Sequence, residues 1–378
     1  MRVLVLNCGS TSVRFRVTVD GLDVDGGRIP CNGARAHALA VAQVLAGQED
    51  PPDAVGHRVT HGGPGLARPA RVDAAVIDAL RAARGHAPLH LPVQIEAMLA
   101  ACDALPGVPQ IACFDTGFHA TMPEVARRLP IPGRYDARGI RRYGFHGLAV
   151  ESVVRALGAG CPPRLVVAHL GGGCSVTAVR DGRSVDTTMA FTPEGGVMMP
   201  TRPGDLDPGV VLEIARAEPD RADEVLAREC GLAAVSGGTD DVRVLLAERH
   251  ADARAALALD MFTASVRGAI AAMAATLGGI DCLAFSGGIG ENAPAIRADA
   301  CAGLGFMGVH LDPAANAAGV GAVGREGAPV DVRVVPADEE AVIAWHVVAL
   351  LAATEAADAT AGAAAGGSGG RADNMPPT

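Results

Sequence analysis

A short pattern of two apolar strands joined by a polar turn occurs twice in this chain of 378 residues. The first copy spans residues 2–19 and the second spans residues 164–179, and an Asp-Gly pair follows soon after each. Each copy predicts two neighbouring antiparallel strands. Because the copies lie about half a chain apart, the repeat predicts two similarly folded domains.

The turns of both copies, residues 7–12 and 170–175, are rich in Gly and Ser. Such turns expose backbone N–H groups and small hydroxyls, which suit a chain of phosphates. Either turn alone is equally compatible with an ordinary glycine-rich connection. Two copies that face each other favour a phosphate site.

Strand and helix patterns alternate along the chain, which predicts an α/β fold with a ligand cleft between its halves. The predicted helices lie at residues 73–84, 92–104, 147–157, 208–217, 221–230, 253–277 and 338–351, and the predicted buried strands at 54–58, 110–114 and 282–286. The Ala- and Gly-rich tail at 352–378 is predicted to be disordered, because it has few side chains to bury.

All 32 basic residues are Arg, and the chain has no Lys. This excludes Walker A nucleotidases, pyridoxal enzymes and protein kinases, each of which needs a Lys. A net charge of −10 and only 3% aromatic residues argue against nucleic acid as a partner. The composition therefore favours a small-molecule ligand.

Nine cysteines are scattered along the chain without a C-x-x-C pair, so neither a disulfide framework nor a zinc site is indicated. No signal peptide is evident, and no uninterrupted apolar run reaches the roughly 18 residues of a membrane span. We expect a protein of the reducing cytoplasm that does not contact a membrane.

Several stretches concentrate side chains that suit anion binding. They lie at residues 7–14, 56–63, 114–119, 141–147, 186–193 and 201–207. In order and in letters, these stretches resemble the motifs of the acetate kinase family, such as G-H-R-V-V-H-G-G, F-D-T-A-F-H and R-R-Y-G-F-H-G. Further family motifs match at residues 87–92, 169–173, 287–292 and 338–344.

The resemblance implies an α/β fold of two duplicated actin-like (ribonuclease H-like) domains with the active site in the cleft between them. We place the first domain at residues 1–147, the nucleotide-binding domain at 148–337, and a helix that returns to the first domain at 338–351. The resemblance also implies ATP as phosphoryl donor, Mg²⁺, a small carboxylate as acceptor, and a homodimer.

The chemistry of a carboxylate kinase agrees with these residue types. Its nucleophile is already an anion at neutral pH, so no general base is needed. The obstacle is the approach of two anions, and fixed positive charge around an in-line transfer overcomes it. Arg58, Arg202 and His146 are the candidates for that role.

Individual roles follow from the resemblance. Arg58 would hold the substrate carboxylate, while His146 and Arg202 would stabilise the transferring phosphoryl group. Asp115 would orient an Arg or the metal shell. Asn7 and Glu339 match the Mg²⁺ positions. The family positions that line the pocket for the alkyl end of the acid correspond to Thr60, Leu89, Phe145 and Pro193. The family segments that contact the nucleotide correspond to Arg14, His169, Leu170, Gly171, Gly172, Gly173, Asp241, Val242, Arg243, Gly288, Ile289, Gly290, Glu291 and Asn292.

Some positions depart from the family pattern. The segment before Gly56 is shorter, Arg14 replaces a Lys, Gly172 replaces an Asn, and residues 148–150 replace T-S-H. Thr60 stands where the family commonly has Val. A hydroxyl in an apolar pocket needs a partner. That partner is either a polar group on the acid or the backbone of Thr60 itself, in which case the substrate is ordinary acetate.

Three alternatives remain open from the sequence. The acid could be propionate, butyrate or a hydroxy acid instead of acetate. The departures could mark an inactive paralogue that binds nucleotide without turnover. The G-x-G-x-x-A spacing at 288–293 also fits a nicotinamide enzyme, although that assignment leaves the other motifs without a purpose.

Overall fold

The computed structural model describes residues 1–9, 12–88 and 90–366, with side chains described up to residue 357. The described residues form two six-stranded sheets. The strands of the first are β1 (Arg2–Cys8), β2 (Ser12–Val19), β3 (Leu22–Pro30), β4 (Ala54–Val59), β5 (Ala70–Arg71) and β6 (Gln110–Phe114). Those of the second are β7 (Arg164–Leu170), β8 (Cys174–Arg180), β9 (Arg183–Thr187), β10 (Cys282–Ser286), β11 (Gly321–Ala322) and β12 (Asp331–Val334).

The two sheets share one topology. The strand order is β3-β2-β1-β4-β6-β5 in the first sheet and β9-β8-β7-β10-β12-β11 in the second. In each, three antiparallel strands continue into a parallel centre and end in a short antiparallel strand. The duplication predicted from the repeated strand pairs is therefore confirmed.

Even the turns that follow the repeated strands correspond. Asp20 and Gly21 connect β2 to β3 with φ of 50° and 83°, and Asp181 and Gly182 connect β8 to β9 with φ of 49° and 73°. Two consecutive residues at positive φ make a type I′ turn, whose twist matches that of the flanking strands. The Asp-Gly pair therefore has the same structural cause in both halves.

Fifteen α-helices connect and cover the sheets in the described residues. They are α1 (Ala34–Ala46), α2 (Ala74–Ala82), α3 (Leu91–Ala104), α4 (Glu124–Arg127), α5 (Gly133–Asp136), α6 (Gly147–Leu157), α7 (Pro208–Ala217), α8 (Ala222–Arg228), α9 (Gly231–Ser236), α10 (Val242–Glu248), α11 (Ala253–Leu277), α12 (Gly287–Asn292), α13 (Pro294–Cys301), α14 (Pro313–Ala318) and α15 (Glu339–Gly366). Six of them begin after an Asp whose side chain accepts a hydrogen bond from a first-turn N–H, which stabilises a helix start.

The last helix extends beyond its predicted end. α15 continues to Gly366 and does not stop at Leu351, so the prediction of a disordered tail from residue 352 was wrong for residues 352–366. Alanine has the highest helix propensity of all residues, and it dominates this segment. Residues 367–378 of the predicted tail lie outside the described part of the chain.

α15 packs against the first sheet although it follows the second in sequence. Val342, Ile343 and Val347 are buried together with Val3 and Val5 of β1. A Cβ on Gly56 of β4 would lie 2.5 Å from Ile343 Cγ2. The absence of a side chain at residue 56 therefore lets this helix approach the sheet.

Among the described residues, two helices have the length and apolar composition of a membrane span: α11 and the part of α15 up to Ala357. The core helix of a soluble protein meets the same two criteria. α11 buries Leu259, Phe262 and Val266 in the core of the second sheet. That a membrane is no partner stays a prediction.

Candidate active site

Most of the predicted site residues lie at the carboxyl ends of parallel strands. Asn7 and Arg58 are near the ends of β1 and β4, and Asp115 directly follows β6. His169 lies near the end of β7 in the second sheet. In open α/β sheets this edge is where ligands bind.

Arg58 and Asp115 form a buried bidentate ion pair. Arg58 donates from Nε to Asp115 Oδ1 at 2.9 Å and from Nη2 to Asp115 Oδ2 at 2.6 Å. Burial raises the pKa of Asp115 to about 6, and Arg58 opposes that rise. Although burial disfavours the charge on Arg58, the carboxylates of Asp115 and Glu339 raise its pKa. Asp115 therefore fixes the orientation of this guanidinium.

Asn7 connects this pair to the start of α15. Its Oδ1 accepts from Arg58 Nη1 at 3.3 Å, and its Nδ2 donates to Glu339 Oε2 at 3.0 Å and to Glu340 Oε1 at 2.7 Å. Arg14 Nη2 lies 3.4 Å from Glu339 Oε2. Burial works against ionisation of Glu339, yet Arg58, His169 and Arg14 together lower its pKa.

The predicted Mg²⁺ residues supply suitable atoms. The carboxamide oxygen of Asn7 and the ionised carboxylate of Glu339 are hard oxygen donors, and Mg²⁺ at a phosphate site needs only one or two protein ligands because water and phosphate complete its shell. Within the described part of the chain, no cluster of three or more His, Cys, Asp or Glu side chains forms an all-protein cage. The oxygen atoms of Asn7 and Glu339 are the donors that fit a metal whose shell a nucleotide would complete.

Arg202 is a second cation of the site, and its surroundings differ from those of Arg58. Its Nη1 donates to the backbone oxygen of Pro193 at 3.1 Å, and no carboxylate of the described residues forms a salt bridge with it. Burial lowers its pKa, while Glu194 raises it from a distance. Arg202 is thus a largely buried guanidinium that is free to pair with an anionic ligand.

His146 lies beside Arg202 in an uncommon backbone conformation. Its φ of 60° and ψ of 20° place it in the left-handed region immediately before α6. Its Nδ1 is 3.1 Å from Ser175 Oγ. A Cβ on Gly173 would lie 2.9 Å from His146 Nε2 and 3.2 Å from Arg202 Nη1. Both groups therefore meet over the glycine turn of the second sheet.

Electrostatics keep His146 neutral near pH 7. Burial, the His169 ring at 4.6 Å, and the charges of Arg58 and Arg202 lower its pKa well below the usual value. A neutral imidazole whose Nδ1 accepts a hydrogen bond from the Ser175 hydroxyl carries its own N–H at Nε2. In that tautomer His146 can donate from Nε2 to an anionic ligand above Gly173, beside Arg202.

Eight of the predicted nucleotide residues line one cavity of about 620 Å³ in the second half of the chain. They are Gly171, Gly172, Asp241, Val242, Arg243, Gly288, Ile289 and Asn292. Two residues before Gly171 and Gly288 of the lining, the buried atoms His169 Nδ1 and Ser286 Oγ have no hydrogen-bond partner in the described residues. Unpaired buried polar atoms favour a polar ligand at this position.

The other predicted nucleotide residues lie elsewhere. His169 and Gly173 neighbour His146, and Arg14 reaches Glu339 from the first sheet. The side chain of Leu170 is fully buried in the core, because neighbouring residues of β7 point to opposite faces. Gly290 is buried within α12.

The carboxylate of Glu291 is hydrogen-bonded within the protein. It accepts hydrogen bonds from the backbone N–H groups of Gly287 and Ala337. These bonds tie the start of α12 to the segment before α15. The side chain is therefore engaged within the protein.

The predicted acyl pocket is only partly described, because Leu89 lies outside the described residues. Phe145 is buried, and the backbone oxygen of Pro193 accepts from Arg202. Thr60 Oγ accepts from Gln94 Nε2 at 2.9 Å. Neither alternative drawn from the sequence named this partner, which reaches Thr60 from α3.

Sequence reasoning missed Gln94 and His90. His90 precedes α3, and burial together with the charges of Arg202 and Arg58 lowers its pKa to about 4. The signal for His90 was present, since it lies inside the motif at residues 87–92 from which only Leu89 was assigned. Gln94 lies outside every motif, so nothing in the sequence pointed to it.

Comparison with known proteins agrees with this geometry. The chain matches the profile of the acetokinase family over residues 35–345. A protein from Nitrobacter hamburgensis named acetate kinase is 38% identical over 390 aligned positions, covering 92% of this chain and 96% of the relative.

Solved structures show the same two-domain fold. The crystal structure of Porphyromonas gingivalis acetate kinase has a TM-score of 0.82 at 32% identity and covers 93% of this chain and 99% of its own. That of a propionate kinase from Francisella tularensis has a TM-score of 0.83 at 29% identity and covers 91% and 98%. The expected fold class is confirmed. With its duplicated sheets and the match over residues 35–345, the chain belongs to the acetokinase family.

Proposed function

We propose that the protein catalyses the reversible transfer of the γ-phosphoryl group of ATP to the carboxylate of acetate, giving acetyl phosphate and ADP. In the forward direction a carboxylate oxygen forms a bond to the γ-phosphorus as the bond from that phosphorus to the bridging oxygen of ADP breaks. No proton is transferred, so the site needs cations and donors and does not need a base.

The observation that carries this proposal is the difference between two partly buried arginines. Arg58 is neutralised by Asp115 and held in one orientation, whereas Arg202 has no carboxylate partner among the described residues. Removing a cation from water is costly unless an anion pairs with it. Arg202 and the N–H of His146 thus suit the charge that develops on the transferring phosphoryl group.

The remaining residues bind and position the substrates. Arg58 keeps its guanidinium at the end of β4, where it can pair with the carboxylate of the acid. Mg²⁺ held by Asn7 and Glu339 would neutralise part of the phosphate charge. The cavity along α10 and α12 would take the nucleoside.

An acyl phosphate assay tests the proposal. The protein is incubated with ATP, Mg²⁺ and acetate, and acetyl phosphate is trapped as the hydroxamate. We expect product with the native protein and a loss of about 10³- to 10⁵-fold in kcat with Arg202→Ala. ATP binding without product in the native protein would instead support the inactive paralogue.

A short-chain acid other than acetate is the second candidate, since a solved propionate kinase has a similar fold. The same assay with propionate and butyrate compares the acids.

We also propose a homodimer, by analogy with the family. A cytoplasmic location is supported by nine cysteines that are all free. The division of the chain at residues 147 and 148 stays a prediction.

A further inference from the structure

Gln94 holds Thr60 by two hydrogen bonds of opposite direction. The backbone N–H of Thr60 donates to Gln94 Oε1 at 3.0 Å, and Gln94 Nε2 donates to Thr60 Oγ at 2.9 Å. Nε2 also donates to the backbone oxygen of Cys8 at 3.1 Å. Each hydrogen of the carboxamide nitrogen thus has an acceptor, so the orientation of the amide is fixed by its partners.

This arrangement determines what the Thr60 hydroxyl offers to a ligand. A hydroxyl has one hydrogen to donate and two lone pairs to accept with. Because Gln94 Nε2 must donate, Thr60 Oγ accepts on that side and its hydrogen points elsewhere. No acceptor for that hydrogen is found among the described residues, although Thr60 is only 5% exposed. The hydroxyl is therefore a buried donor with a free hydrogen.

Thr60 lies next to the groups that would hold the acid. It follows Arg58 by two residues at the end of β4, and the adjacent His61 ring contacts the Phe145 ring at a centroid distance of 5.6 Å. Gln94 lies one helical turn after His90, whose imidazole is in the field of Arg58 and Arg202. A small acid paired with Arg58 would thus place its carbon chain near the hydroxyl.

We propose that Thr60, oriented by Gln94, donates a hydrogen bond to the acid, so that the site favours short acids with an acceptor on the second carbon, the 2-hydroxy acids, over apolar acids of equal size. This inference rests on the proposed function and narrows its substrate class. A site with a buried donor disfavours an analogue that lacks the matching polar group.

Glycolate and propionate provide a matched pair, because they differ by a hydroxyl in place of a methyl group. The measurement is the ratio of kcat/KM for glycolate to kcat/KM for propionate. Thr60→Val keeps the shape and removes the donor, and we expect the ratio to fall at least about fivefold. A ratio that changes by less than about twofold overturns the proposal, because one net hydrogen bond is worth more than that.

Gln94→Glu tests the orientation separately. A carboxylate at residue 94 cannot donate, so the Thr60 hydroxyl would turn its hydrogen towards it and away from the acid. The same fall in the ratio is expected with Thr60 still in place. An unchanged ratio would overturn the part assigned to Gln94, provided that circular dichroism shows a folded protein.

Gln110→Met is the matched control. Gln110 is equally buried in the first half of the chain, but it bonds His57 and lies away from the acid. It should lower thermal stability and leave the ratio unchanged, and a changed ratio would mean that general loosening of this half sets selectivity. Acetate is measured in parallel. If acetate is turned over but the ratio does not change in Thr60→Val, only this inference is overturned. If no acid gives an acyl phosphate, the proposed function is overturned.

Discussion

At the scale of single residues, the site uses one kind of side chain for two purposes. Asp115 and Asn7 accept from Arg58, which is thereby fixed, while Arg202 keeps its charge for a ligand. Both arginines could be assigned from family motifs. The sequence could not distinguish the paired Arg58 from the unpaired Arg202, because pairing depends on contacts with residues far away along the chain.

Gly173 is the residue at which His146 and Arg202 meet. Gly173→Ala should lower kcat by about 100-fold, because the new methyl group would displace both side chains and small displacements at reacting groups are costly. The melting temperature should hardly change, since Gly173 does not adopt a positive φ. Steady-state kinetics and thermal unfolding check both expectations.

Gly268→Ala is the control for that substitution. A Cβ at Gly268, within α11, meets no atom within 4 Å. Its kinetics should equal those of the native protein. Native kcat in Gly173→Ala would show that the turn of the second sheet does not position the two groups.

At the scale of elements, the nucleotide cavity depends on one fully buried arginine. Arg297 on α13 donates to the backbone oxygens of Gly290, Glu291 and Asn316 and to the side-chain oxygen of Asn316. It thereby joins the end of α12, which lines the cavity, to α14. Burial lowers the pKa of Arg297, because placing its charged guanidinium in the interior is unfavourable in free energy.

Arg297→Met should lower the free energy of unfolding by about 3 kcal/mol, because several buried carbonyl groups lose their donor. It should also raise KM for ATP more than KM for the acid, since α12 would loosen. Chemical denaturation and kinetics with each substrate varied measure these effects. Arg180→Met, at an exposed position, should change stability by less than about 1 kcal/mol, and equal losses in the two variants would contradict the prediction.

The elements themselves were predictable where pattern and boundary signals agreed. α6, α7, α11 and β10 have the bounds that apolar periodicity and turn residues indicated. β3 was missed, because Leu22–Pro30 contains two Gly and a Pro and is largely exposed at a sheet edge. The end of α15 was missed because lack of burial was taken to exclude a helix.

At the scale of the whole molecule, buried histidines make stability depend on pH. Burial lowers the pKa of His57 and His119 to about 4 and that of His61 to about 3. Because the unfolded chain binds protons near pH 6.5 and the folded chain does not, the free energy of unfolding falls as pH falls below about 6.5. The raised pKa of Asp115 acts in the opposite direction, but as a single group it is outnumbered.

Each of these three histidines should remove about 2 kcal/mol of stability between pH 7 and pH 5. Urea unfolding at the two pH values measures the total. His57→Gln should reduce the difference by about 2 kcal/mol if stability is set by these groups. A free energy of unfolding that stays constant from pH 7 to pH 5 would contradict the assignment of neutral buried histidines.

The return of α15 to the first sheet also constrains how the molecule is made. Val342, Ile343 and Val347 cover an apolar face built by residues of the first strands. On the ribosome that face is synthesised well before the helix that covers it, because the whole second sheet lies between them in sequence. The core of the first sheet therefore closes only after the second half of the chain has been made, and until then it presents an exposed apolar surface to chaperones.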